Sequence, residues 1–283
     1  MSAARTYDCI GGTYGQTRQE DSRLARLVLT ELRGAGTVVN VGAGTGSYEP
    51  TDRFVVALEP SPVMLRQRPT TAAPAVQGFA EWLLFRDNAF DAAMAVLTVH
   101  HWTDQSAGLR ELNRVARERI VLLTWDPSSE GFWLMRDYFP QFLEADRKRL
   151  PPIEQLLRFL VDGRVVVVPI PHDCADGFLG AYWRRPWAYL DAEIRAGISS
   201  FATCQDLSPL HRLAEHLDTG EWQRRYGELL NREELDIGYR LVIGLPNRLT
   251  VQDHVPESSR HDQWECRRVD GPSTRSSPGP TTF

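Results

Sequence analysis

The stretch that most constrains the fold is Thr37-Val-Val-Asn-Val-Gly42, a β-branched run that ends in glycine and is followed by two more glycines at alternate positions, Gly44 and Gly46. Without polar alternation, such a run reads as a strand buried on both faces, as in a parallel sheet. Glycine at its carboxyl end permits positive φ and lets the backbone come close to a ligand. Taken alone, a glycine-rich turn also serves nucleotide cofactors or merely a tight corner. A second buried run, Phe54-Val-Val-Ala-Leu-Glu59, ends in an acid 17 residues after Gly42. A carboxylate at that place can accept both hydroxyl hydrogen bonds of a ribose, so turn and acid together point to an adenosine-type ligand. A dinucleotide fingerprint reads GxGxxG, its third glycine allowing close helix packing, whereas this chain has GxGxG followed by Ser47 and Tyr48. The pyrophosphate reading is therefore less favoured.

The surrounding pattern extends the βαβ reading. Ala75 to Gly78, Phe90 to Val96 and Ile120 to Trp125 supply three further strands, and Arg164 to Pro169 and Tyr239 to Leu245 two late ones. Ser22 to Arg33 and Ser106 to Arg117 carry leucine and valine at helical spacing and should pack on the sheet. The largely helical residues between the two late strands, about 173–236, read as a cap rich in rings: Phe178, Tyr182, Trp183, Trp187, Tyr189 and Phe201. These rings serve either the cap's own core or the wall of a substrate pocket, which would suit a flat or apolar molecule. The expected organisation is one domain over 1–250 with that cap, and a tail over 257–283 whose Ser, Arg, Pro, Gly and Thr bury almost nothing and predict disorder.

Composition excludes several function classes. With 32 basic against 37 acidic residues the net charge is −5, so there is no basic field for nucleic acid. Cys9, Cys174, Cys204 and Cys266 lack the spacing that converges on a metal, and a chain of 283 residues needs no disulfide staples. No metal is expected, and a reducing cytoplasm fits best. No apolar run reaches the 18 or so residues of a membrane span, so no membrane partner is expected either.

Several stretches together resemble the class I S-adenosylmethionine-dependent methyltransferases of the small-molecule type, the domain 11-like group also seen in quinone-pathway enzymes. Val39-Asn-Val-Gly-Ala-Gly-Thr-Gly46 resembles that family's cofactor loop, Val56-Ala-Leu-Glu-Pro-Ser-Pro-Val-Met64 its acidic second strand and following helix, and Phe90-Asp-Ala-Ala-Met-Ala-Val-Leu-Thr-Val-His-His-Trp102 its fourth strand. Gly78 to Phe85 with Asp87 to Asp91 resembles the segment that passes the adenine. Glu111 to Arg117 and Ile120 to Asp126 complete the order. The likeness covers about residues 5–127 well and the rest loosely.

The resemblance implies an α/β fold: a Rossmann-like, seven-stranded, mostly parallel sheet in the order 3-2-1-4-5-7-6, strand 7 antiparallel, with the helical cap between strands 6 and 7. It implies S-adenosyl-L-methionine as cofactor, with S-adenosyl-L-homocysteine as product, and a small-molecule acceptor methylated by direct displacement. Cofactor contacts are expected from Asn40, Gly42, Ala43, Gly44 and Gly46 in the loop, and from Glu59, Pro60 and Met64 at the second strand. Phe79, Ala80 and Glu81 are expected near the adenine, and Leu97 after the fourth strand. The N-terminal run adds Tyr14, closing over the sulfonium, and Arg18, pairing with the methionine carboxylate.

Two departures stand out. Phe79 takes the place of a frequent aspartate and can only pack or stack, and Asn40 replaces another, with Glu49 as the group that could compensate. His100 and His101, with Trp102, follow the fourth strand, where the resemblance puts the methyl-transfer site, and a histidine there, with its pKa near neutrality, could act as general base. His172, with Asp173, ends strand 6 and makes a second candidate. The rival readings are a non-catalytic cofactor-binding sensor or partner subunit, a dinucleotide-dependent oxidoreductase, and a methyltransferase acting on a macromolecule.

Overall fold

Alternation of side chains along each strand decides which residues face which layer. In the computed structural model, which describes residues 18–249, Val38 of the first strand joins one apolar cluster while its neighbours Val39 and Val41 join the other; Ala92 and Met94 part in the same way from Ala93 and Ala95. The strands β1 (Thr37–Val41), β2 (Phe54–Glu59), β3 (Ala75–Gln77), β4 (Phe90–Val96) and β5 (Ala116–Trp125) pair in parallel, in the order 3-2-1-4-5. After β6 (Leu160–Val167), the pair β7 (Ile170–Pro171) and β8 (Glu234–Leu235) forms a small antiparallel sheet of its own. The last strand, β9 (Tyr239–Pro246), inserts between β5 and β6, antiparallel to both. The sheet order expected from the sequence is thus realised, with β9 in the seventh strand's place.

Helices cover both faces. On one side α1 (Ser22–Glu31), capped by Asp21 through the backbone N–H of Arg23, buries Leu24, Ala25 and Val28. Next along the chain comes α2 (Pro62–Arg66), a short turn after β2. On the other side α3 (Gln105–Val115), capped by Asp104, buries Leu109, Leu112 and Val115. It runs straight into β5 at Ala116, four residues before the start expected at Ile120. Strand β6 likewise begins at Leu160 rather than Arg164. The ladder shifts register between Val161 and Arg164, and Asp162-Gly163 in that bulge interrupts the apolar run that the sequence pattern relies on.

The helical layer beyond the carboxyl edge of the sheet draws on two parts of the chain. Between β5 and β6 come a π-helical turn (Leu134–Tyr138) and α4 (Pro140–Arg149), followed by α5 (Ile153–Arg158), which instead packs on the sheet face in the same cluster as α3. Between β7 and β8 come α6 (Ala192–Ala196), α7 (Ser199–Ala202), α8 (Pro209–Asp218) and α9 (Glu221–Tyr226). Trp133, from the first part, sits at the centre of the second. Its ring lies 5.4 Å from Trp222, 5.7 Å from Tyr189 and 5.7 Å from Tyr226, and its Nε1 donates to the carbonyl of Trp183 at 2.7 Å. Trp183 and Tyr189 are fully buried in this core, while Trp187 is 53% exposed. Of the cap rings, Trp183, Trp187 and Tyr189 line neither of the two cavities at the sheet edge, whereas Phe178 lines one of them. Tyr14 and the tail 257–283 lie outside the described residues. No helix among the described residues is long and apolar enough to cross a membrane.

Replacing a core ring by alanine costs about 3–5 kcal/mol. Trp133→Ala should therefore lose stability of that order in urea unfolding, with Trp187→Ala within about 0.5 kcal/mol of the parent. Equal losses would show that Trp133 does not centre this layer.

Candidate functional site

The turn after β1 has the positive backbone angles that its glycines allow. Gly42 stands at φ 74° and Gly44 at φ 54°. A Cβ on Gly42 would also lie 2.8 Å from Cβ and Cγ2 of Thr98, so this residue must be glycine both for its angle and for its neighbour. At Gly44 the same atom would meet Met64 Cε at an ordinary 3.5 Å. The backbone N–H groups of Gly42 and Ala43 both donate to the carbonyl of Leu58, fastening the turn to the end of β2. There Glu59, 5% exposed, accepts from the Gly44 N–H at 2.8 Å and the Ser61 N–H at 2.9 Å, one on each carboxylate oxygen. The acid is held in place by the loop it faces.

Asn40 is 2% exposed at the bottom of the cavity above this turn. Its Nδ2 donates to Glu49 Oε1 at 3.1 Å, and Glu49 is in turn paired with Arg68 at 2.7 Å. The compensating acid expected at Glu49 is thus adjacent to Asn40, but bound to a cation. Asn40 Oδ1 is buried with no hydrogen-bond partner among the described residues, and buried acceptors of this kind are normally satisfied by a ligand or water. An orphaned acceptor above a glycine turn, beside an oriented carboxylate, fits a ligand carrying an ammonium group and a ribose.

The cavity is lined by Arg18, Asn40, Gly42, Ala43, Gly44, Glu59, Pro60, Met64, Phe79, Ala80, Glu81, Leu97 and His101 among the expected residues. Phe79 stands at the rim, 56% exposed, placed to stack. The carboxylate of Glu81 accepts from the N–H groups of Thr103 and Asp104, so it braces the loop before α3. Gly46 does not reach the cavity; its φ of 104° serves the turn, whose N–H donates to the Ala43 carbonyl. Sequence reasoning missed Thr45, Ser47, Tyr48, Val96, Thr98, Trp102 and Thr103. Thr98 and Trp102 flank the two histidines, and the loop position that exposed the histidines could have exposed them too.

A second chamber adjoins the first, between the sheet edge and the helical layer. Arg18, Leu97 and His101 line both, while His100 lines only the chamber. The two imidazoles are 3.8 Å apart. Burial, reinforced by the positive charges of Arg149 and Arg18, lowers the pKa of His100 to about 3. Burial and the neighbouring His100 hold His101 well below its usual range as well. Both rings are therefore neutral at physiological pH and weak as bases. Arg18 is engaged by Asp176, through Nε at 2.5 Å and Nη2 at 3.3 Å, and Asp176 also accepts from the Tyr48 hydroxyl at 2.8 Å.

His172 is not brought to the site. β6 stops at Val167, the chain passes through Pro169 and Pro171, and the imidazole Nε2 lies 3.2 Å from Glu233 at the end of the β7–β8 pair. It lines neither cavity. Tyr14 cannot be placed, being outside the described residues. Among those residues no group of three or more His, Cys, Asp or Glu is arranged to hold a metal ion.

Residues 39–123 match the family model described as a methyltransferase domain. The crystal structure of a putative methyltransferase from an antibiotic biosynthesis pathway of Anabaena variabilis is 38% identical, with a TM-score of 0.75, over 81% of this chain and 99% of that one. A demethylmenaquinone methyltransferase of Mycolicibacterium gilvum is 29% identical over 150 residues, 50% of this chain and 66% of that protein. The uncharacterized protein YafE of Escherichia coli is 44% identical over 71 residues, 25% of this chain and 34% of that protein. The chain thus spans about a third to two thirds of the length of these two curated relatives.

Two measurements check this geometry. Gly42→Ala adds both strain and a clash, whereas Gly44→Ala adds strain alone, so the first should lower the melting temperature more than the second; the reverse order would contradict the contact with Thr98. His100 has a folded pKa below its usual 6.5. The unfolded chain therefore binds a proton that the folded one refuses, and the stability present above pH 6.5 is lost as pH falls towards 3. His100→Gln should remove that slope, so urea unfolding at pH 7 and pH 5 should show the parent losing more stability than the variant.

Proposed function

The chain belongs to the class I S-adenosylmethionine-dependent methyltransferases, and from that premise we propose that it methylates a small molecule held in the chamber beside the cofactor cavity. S-adenosylmethionine supplies an electrophilic methyl group on a sulfonium centre. Glu59, oriented by the N–H groups of Gly44 and Ser61, would hold the ribose hydroxyls. The orphaned Oδ1 of Asn40 would accept from the ammonium group. Backbone groups of Gly42 to Gly44 would border the methionine portion, with Pro60, Met64, Ala80 and Leu97 as apolar walls and Phe79 stacking at the adenine end. Arg18 serves this reading as a clamp on Asp176 rather than as a ligand for the methionine carboxylate.

One observation carries the reading: His101, Leu97 and Arg18 line the cofactor cavity and the chamber at once, so an acceptor in the chamber would meet the cofactor at the carboxyl end of β4. Alignment of two bound reactants supplies much of the acceleration of a displacement, and a weakly basic neutral imidazole adds a hydrogen-bond acceptor for the nucleophile. The apolar character of the acceptor rests on Trp125, Phe132, Phe178 and Leu179 in the chamber wall.

Charge-assisted hydrogen bonds contribute about 1.5–3 kcal/mol each. Glu59→Ala should therefore weaken S-adenosylhomocysteine binding by about a hundredfold in calorimetry. His101→Ala should leave that affinity within about threefold but slow transfer of labelled methyl to the acceptor found by screening, by about ten- to a hundredfold. Undiminished binding by Glu59→Ala would refute the site assignment. Undiminished transfer by His101→Ala would remove the imidazole from the reaction.

A further inference from the structure

The chamber holds one charged group to which no described residue donates a hydrogen bond. Asp146, in the last turn of α4, faces it with a side chain 17% exposed. Among the described residues its carboxylate accepts no hydrogen bond. Its ion-pair partner among those residues is Arg149 at 3.7 Å, beyond hydrogen-bond reach. Burial raises its pKa to about 6 against the opposing pull of Arg149, so the group is ionised near neutrality at a cost in solvation.

The other basic groups of the wall are already accounted for. The charge of Arg18 is matched by Asp176, and the imidazoles of His100 and His101 are neutral. Arg149 is 43% exposed and, with Ser200, also lines an open groove on the outer side of the helical layer, so its guanidinium keeps water. The chamber that Asp146 faces is also lined by the rings of Trp125, Phe132, Phe178 and Tyr239.

We propose that Asp146 is the acceptor-binding carboxylate of the chamber, and that the acceptor is an amine on an apolar or aromatic body. An under-solvated carboxylate is stabilised most by a cation that donates hydrogen bonds to it. Ring faces attract the same cation through their quadrupoles. A carboxylate-bearing acceptor would instead place its charge against that of Asp146 where little water screens it. The inference rests on the methyltransferase reading of the adjoining cavity and adds the acceptor's class to it.

The test is calorimetric titration of the protein loaded with S-adenosylhomocysteine, using three probes of similar shape: 2-phenylethylamine, 2-phenylethanol and 3-phenylpropionate. The amine should bind at least about tenfold more tightly than the other two, and Asp146→Asn should remove that advantage while leaving S-adenosylhomocysteine affinity unchanged. Asp146→Glu, which keeps the charge, should retain a preference for the amine. Asparagine has the same shape and no charge to desolvate, so this variant should fold. Equal binding of the three probes, preference for the propionate, or an amine affinity untouched by Asp146→Asn would overturn the proposal. If the parent protein fails to bind S-adenosylhomocysteine, the methyltransferase reading itself falls, and the proposal with it.

Discussion

Three distant parts of the chain meet at the buried carboxylate of Asp176. It pairs with Arg18 ahead of α1, accepts from Tyr48 in the glycine turn, and belongs itself to the segment that leads from β7 into the helical layer. At 1% exposure an unpaired carboxylate would be strongly destabilising, so the residue holds its partners as firmly as they hold it. Asp21 and Arg23 reinforce the junction, through the N–H of Ala175 and the carboxylate of Asp173. The turn that forms the floor of the cofactor cavity and the layer that roofs the chamber are thereby fixed to one another.

That junction explains how an otherwise common sheet becomes a two-compartment site. The parallel strands end together at their carboxyl edge, which is where open α/β sheets bind ligands. On one side of β4 the glycine turn, Glu59 and Asn40 offer polar contacts in a narrow cavity. On the other side, residues from β5, α4 and α7 enclose a chamber that sets aromatic rings beside charged groups. His101 and Leu97 stand between the two. Leu97 does so at φ 51°, an angle uncommon for a branched residue, and such angles persist only where the surrounding structure imposes them.

Local chemistry was legible in the sequence. The β-branched runs, the glycines and Glu59 act within about 20 residues of one another, and their spacing placed them; His100 and His101 were placed by the family resemblance of the fourth strand. What was hidden depends on separation in the chain. Asp176 lies 128 residues from Tyr48, and Asp146 meets the sheet edge only because residues 132–150 fold into a layer whose remaining helices come much later. The cap rings were visible as a cluster, but nothing in their spacing distinguishes Trp183, wholly buried, from Trp187, half in solvent. His172 was misplaced for a local reason: two prolines end the strand early and turn it away from the cavity.

The most direct measurement is calorimetric titration of the unmodified protein with S-adenosylmethionine and S-adenosylhomocysteine, with NADH as control. The account requires saturable, one-to-one binding of the first two and none of NADH, since Glu59 and Asn40 suit a ribose and an ammonium while the GxGxG turn is not shaped for a pyrophosphate. Binding of NADH in their place, or of none of the three, would contradict it.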